Sequence, residues 1–137
     1  MNKWILTGAV VALAACGGSS GPASPLEPSV TVVGDTTFLE LPVGTAAMVG
    51  AVSIHMDGVT EDSRCPYVVA CVWEGNASIE LTVSDGIDTE VLGLSTNIGP
   101  QQQDFGGLTI RFDDLYPYPG GYPTDPDRYR AKLAVYP

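Results

Sequence analysis

The side chains with most chemistry to offer in this chain of 137 residues are its three cysteines, Cys16, Cys65 and Cys71. Cys16 closes Leu13-Ala14-Ala15-Cys16 at the end of a short apolar run. Small residues ahead of a cysteine form a lipobox, at which a signal peptidase cuts before a sulfur carrying diacylglycerol, and palmitate is an expected acyl chain. If Cys16 is consumed by acylation, the odd count closes and Cys65 and Cys71 remain as a pair in an oxidising compartment. A disulfide between them closes so short a loop that chain entropy assigns it only about 2.4 kcal/mol, enough to shape a bend rather than hold a domain. Zinc is the alternative for these thiols, but zinc takes four ligands and the chain adds only His55 to the pair.

His55 is the single histidine, so any Ser-His-Asp machinery must use it. It falls on the strand face opposite Ile54 and Met56, and no nucleophile-elbow sequence accompanies it, so the expected role is a satisfied or solvated strand histidine. Acidic residues recur in turns: Asp57 with Glu61 and Asp62, Asp85 with Asp88 and Glu90, Asp113 with Asp114, and Asp125 with Asp127. Calcium takes oxygen ligands from such loops, yet none has EF-hand spacing. Asp57, Glu61, Asp62, Asp125 and Asp127 are thus weak calcium candidates beside the simpler role of capping turns. No metal and no cofactor is expected. Tyr116, Tyr118 and Tyr122 stand in Tyr-Pro-Tyr-Pro-Gly-Gly-Tyr-Pro, where proline-stiffened rings either cover one end of the domain or offer a low-entropy surface for a sugar or peptide.

The most specific pattern lies around the Cys65 and Cys71 pair. Asp62-Ser63-Arg64-Cys65-Pro66, then Cys71, then Val72-Trp73-Glu74-Gly75-Asn76-Ala77, resembles small, functionally uncharacterised bacterial lipoproteins that share a D-S-R-C-P-x4-C-x-W-x-G-x-A motif. The likeness extends to Tyr116-Pro117-Tyr118-Pro119 and Tyr129-Arg130-Ala131, covering most of residues 45–136. It implies a lipidated, exported, all-β domain and no particular activity. Physically the motif reads first as a staple: Pro66 stiffens the loop, the thiols close it, and Trp73 lies over the disulfide or beneath the Arg64 guanidinium. Arg64 is flanked by Glu61, Asp62 and Glu74, one of which is its expected ion partner. The second reading makes Arg64 and Trp73 a recognition surface, since both residue types anchor interfaces.

The elements that must position these residues follow from composition and periodicity. Lys3 and the apolar run Trp4 to Ala15 have the layout of an export leader, and a helix of that length, about 18 Å, falls short of a hydrocarbon core of about 30 Å. Residues 1–15 are therefore expected to be removed as a signal peptide, residues 16–28 to form a Gly/Ser/Pro stalk, and residues 29–137 to form one domain. Period-two alternation marks strands at Ala77 to Ser84, at Leu108, Ile110 and Phe112, and at Tyr129, Ala131, Leu133 and Val135. Ala47 to Met56 reads as one central strand with Met48, Val52, Ile54 and Met56 on its apolar side. Weaker strand signals sit at residues 30–33, 37–41, 70–74 and 90–94, and Asp85-Gly86 signals a hairpin. Prolines keep 116–127 out of any central strand. About eight short strands predict an all-β fold, an antiparallel β-sandwich of immunoglobulin-like type, with a small barrel as the competitor. Asp125 followed by Tyr129 at a strand start is similar to a tyrosine corner.

Charge narrows the function. The formal charge is −10, one unit more negative once Lys3 leaves with the leader, so nucleic acid and anionic headgroups are excluded as electrostatic partners. The expectation is an exported protein held at the bacterial cell envelope by its N-terminal lipid. Gly17 after the lipidated cysteine favours the outer membrane in Gram-negative sorting. The expected role is a non-enzymatic binding or accessory module for an envelope protein or glycan, working through 57–75 and 116–127. The alternatives are an envelope hydrolase using loop carboxylates and a structural subunit of an outer-membrane assembly.

Overall fold

A computed structural model describes residues 27–120 and 125–137. Residues 1–26, which hold the expected leader, Cys16 and most of the expected stalk, and residues 121–124, with Tyr122, lie outside the described residues.

Among the described residues nine strands form two antiparallel sheets packed as a sandwich, with almost no helix. The five-stranded sheet runs in the order β1 (Ser29–Val33), β2 (Thr36–Pro42), β9 (Arg130–Tyr136), β8 (Leu108–Tyr116), β7 (Gln102–Phe105). The four-stranded sheet is a meander of β3 (Ala46–Val49), β4 (Val52–Asp62), β5 (Ala77–Ser84) and β6 (Thr89–Ser95). Alternation explains the core. Ile79, Leu81 and Val83 of β5 and Val52, Ile54 and Met56 of β4 point inward against Leu39 and Leu41 of β2, Ile110 and Phe112 of β8, and Leu133 and Val135 of β9. Their odd-numbered or even-numbered neighbours, such as Glu80 and His55, lie on the wet face.

Asp85-Gly86 forms the expected turn between β5 and β6. Gly86 takes φ 91°, and the Asp85 carboxylate accepts the amides of Ile87 at 2.9 Å and Asp88 at 2.8 Å. These two amides hold the Asp85 carboxyl below the usual carboxylate range.

Two expectations are corrected and one strand is added. The span Ala47 to Met56 is a hairpin rather than one strand: β3 ends at Val49, Gly50 turns at φ 59°, and β4 begins at Val52. Reversing the chain there pairs Met48 with Ser53, so Met48 shares the outer face and is 58 % exposed, and of the two arms β4 is internal to its sheet while β3 is an edge. Residues 70–74 form no strand; they belong to a loop in which Val72 is fully exposed. A strand at Gln102–Phe105 was not foreseen, because Gln-Gln-Asp-Phe is short and polar and carries no alternation to see.

Candidate functional site

The motif-bearing loop, residues 63–76, leaves the end of β4 and returns into β5. Its base continues the β4–β5 ladder, with Ser63 N–H donating to Asn76 O and Cys65 N–H to Glu74 O, each at 2.8 Å. Gly75 sits at φ 78°, and a Cβ there would lie 2.0 Å from the Ser63 carbonyl oxygen, so the close crossing of the two arms demands glycine. Cys65 and Cys71 are joined as a disulfide, with Cα atoms 5.9 Å apart, which removes both thiols from any zinc site.

Arg64 is buried, 5 % exposed, and every arm of its guanidinium is used. Nε donates to Asp62 Oδ1 at 2.7 Å and Nη2 to Asp62 Oδ2 at 2.9 Å, a bidentate pair. Nη1 donates to the Leu115 carbonyl, and Nη2 also donates to the Pro117 carbonyl at 3.0 Å. Those carbonyls lie at the end of β8 and just beyond it, so one side chain of the four-stranded sheet grips the other. Burial opposes the charge on Asp62, but hydrogen bonds from Arg64 and Tyr129 and the arginine charge outweigh it and hold its carboxyl below the usual range. Burial likewise opposes the Arg64 charge, and Asp62 overrides it and pushes the guanidinium up.

The expected ion partner is therefore Asp62, and the staple reading of Arg64 stands with its ring partner corrected. The aromatic face over Arg64 belongs to Tyr118, 4.4 Å from Cζ to the ring centroid, not to Trp73. Trp73 lies 52 % exposed. Lys132 Nζ sits 4.5 Å from the Tyr116 centroid, and the Tyr116 and Tyr118 rings meet edge to face at 6.2 Å. The bond between Tyr116 and Pro117 is cis. Tyr67 joins this group from the stapled loop: its N–H donates to Pro119 O at 3.3 Å, and its ring packs on Gly120. Among the described residues, the stapled loop of the one expected working surface and residues 116–120 of the other thus meet at one end of the sandwich.

Tyr129, the strand-start tyrosine, ties the two sheets together. Its hydroxyl donates at 2.7 Å to Asp62 Oδ2, a side chain in the opposite sheet. Asn76, which sequence reasoning passed over, is the other organiser. It is 1 % exposed; its amide donates to Ser78 Oγ at 2.9 Å, and its oxygen accepts the N–H groups of Asn97 and Ile98, both at 3.0 Å. Only its place just before the β5 alternation could have signalled it.

The calcium candidates are not brought together. Asp57 is engaged by His55 Nδ1 and by Thr82 Oγ1, each at 2.7 Å. Glu61 accepts from Ser63 and Asn76. Asp62 serves Arg64 and Tyr129, and Asp125 caps a single 3-10 turn by accepting the Asp127 N–H at 3.1 Å. Among the described residues no three His, Cys, Asp or Glu side chains converge on a point that could hold an ion. His55 lies on the outer face as expected, and the hydroxyl beside it, that of Thr82, bonds the carboxylate rather than the imidazole.

What remains accessible is apolar. Tyr67 is 75 % exposed, Val68 58 %, Val69 54 % and Val72 103 %, all on the loop that Arg64 and the disulfide hold in place. Beside it a polar depression of about 260 Å³ is lined by Arg64, Glu74, Asn97, Gln101, Asp114 and Tyr118 among others. No protein-family model, no curated protein and no solved structure matches this chain.

Proposed function

We propose that this chain is an exported protein, cut before Cys16 and moored by lipid to the bacterial envelope at the outer membrane, whose domain is a non-enzymatic binding module. The anchor rests on the leader and lipobox sequence. The binding role rests on one observation: large apolar side chains from Tyr67 to Trp73 are held out in water on a loop that a disulfide and a buried ion pair keep rigid. Exposed apolar clusters of this kind mark contact surfaces, and a loop already fixed in shape loses little entropy on binding. The partner that fits is an apolar patch on another envelope protein. One face of each of Tyr116 and Tyr118 is already occupied by a cation, which disfavours stacking on a sugar.

Two measurements test this. Intact mass of the unreduced protein from membranes is expected to show a chain beginning at an acylated Cys16; an uncut leader overturns the anchor. A photoreactive side chain in place of Val72 is expected to cross-link one envelope protein in intact cells, with none captured from Glu80 on the opposite-facing surface of β5. Equal capture at both positions overturns the binding reading.

A further inference from the structure

Among the described residues, strand β1 is one free edge of the five-stranded sheet, and all five of its residues, Ser29-Val30-Thr31-Val32-Val33, are exposed. Val30 is 51 % exposed, Val32 67 % and Val33 62 %, with Phe38 of β2 beside Thr31 at 41 %. Exposed edges are usually blunted by charge, proline or a bulge, because unpaired backbone groups template pairing with another chain. The other edges follow that rule or are short. β6 carries Glu90 and a glycine, β7 carries Asp104, and β3 has four residues. β1 has none of these devices.

We infer that β1 pairs antiparallel with β1 of a second copy of this chain, about a two-fold axis through Thr31. The ladder makes the edge self-complementary. Val33 and Thr36 close the two-residue turn at Gly34-Asp35. By antiparallel alternation Ser29, Thr31 and Val33 spend their backbone groups on β2, and Val30 and Val32 direct theirs to the free edge. With Thr31 on the axis, Val30 of one copy faces Val32 of the other and both exchange backbone hydrogen bonds. Ser29 faces Val33, the Thr31 side chains face each other, and no charge is opposed within the strand. Glu27 and Asp35 meet just outside the ladder ends, so salt strengthens the contact. The interface is small, and a cross-link is the suitable way to trap it.

The test uses the full chain in intact cells, read as a doubled mass on a non-reducing gel after mild oxidation. Across a two-fold axis the Thr31 Cα atoms fall within disulfide reach, whereas the two Ser29 positions are separated by about 14 Å. Thr31→Cys is expected to form the doubled band, Ser29→Cys and the outer-face control Glu80→Cys at least fivefold less, and wild type none. Adding Val32→Lys to Thr31→Cys is expected to reduce the band at least fivefold while protease resistance stays at the wild-type level. Equal bands from all three cysteine variants, a Thr31→Cys chain that stays monomeric, a band whose mass is that of another protein, or a band indifferent to Val32→Lys would each overturn the pairing. If Val32→Lys loses protease resistance, the contrast between Thr31→Cys and Ser29→Cys still decides.

Discussion

Strand β5 has a connection at each end, and the two are built on opposite plans. The turn after it, 85–88, is closed by one carboxylate accepting two amides from its own neighbours. The loop before it, 63–76, needs a disulfide, a glycine with no room for a Cβ, and an arginine that reaches carbonyls 51 and 53 residues away. The difference teaches what each must do. A turn that only reverses the chain is satisfied by local hydrogen bonds. A loop that holds valines and aromatic rings in water is opposed by the tendency of those groups to collapse, and it keeps its shape only when anchored from outside.

The sharpest way to break this comparison is to remove the strand both connections share. Leu81→Asp places a charge in the core and is expected to abolish folding, while Glu80→Leu, one residue away on the wet face, changes stability by less than about 0.5 kcal/mol. Thermal melts of the two variants check it, and similar melts would contradict the strand assignment. Next in size, Arg64→Ala leaves Asp62 buried without its cation and leaves the Leu115 and Pro117 carbonyls without their donor. It is expected to cost about 3–5 kcal/mol in urea unfolding. A loss under about 1 kcal/mol would mean that the disulfide alone holds the loop.

Acid gives a graded version of the same contrast. The Asp62 carboxyl lies below its ordinary value of 3.8 in the fold, so it contributes stability that is fully present above that value. The contribution is lost as pH falls through the lowered folded value. Urea midpoints followed from pH 6 downward are expected to fall less steeply for Asp62→Asn than for wild type. Smallest of all, Asp85→Ala removes only the local cap of an exposed turn. Its effect on the urea midpoint is expected to be a small fraction of that of Arg64→Ala, and hydrogen exchange should rise at Ile87 and Asp88 without spreading to 63–76.

The same contrast explains what could be read in the residues beforehand. β5, β9 and most of β8 were legible because their apolar residues alternate with polar ones, and one buried face is all that alternation needs to encode. The Asp85 turn was legible because its partners are its neighbours. The Val49–Val52 hairpin was not, since Met48 and Val52 continue the same apolar spacing and only the register with Ser53 separates them. For Arg64 the sequence narrows the ion partner to three nearby acids, of which Asp62 is the one used, but it offers Trp73 rather than Tyr118 as the ring that could cover it. Trp73 is close in sequence, whereas Tyr118 is brought over it by the packing of one sheet on the other. Tyr129 is legible as a strand-start tyrosine, but its bond to Asp62 spans 67 residues. Partners chosen by the fold leave no spacing in the chain to find.

That last bond has a corollary for how the molecule fails. The first residue before the final strand serves as the latch for a bend written in the middle of the chain, so damage at the carboxyl end travels. A protein clipped ahead of Tyr129 forfeits more than a strand at the centre of one sheet. It also releases the acid that steadies Arg64, and the far tip with its valines would slacken even though every residue of that tip is intact.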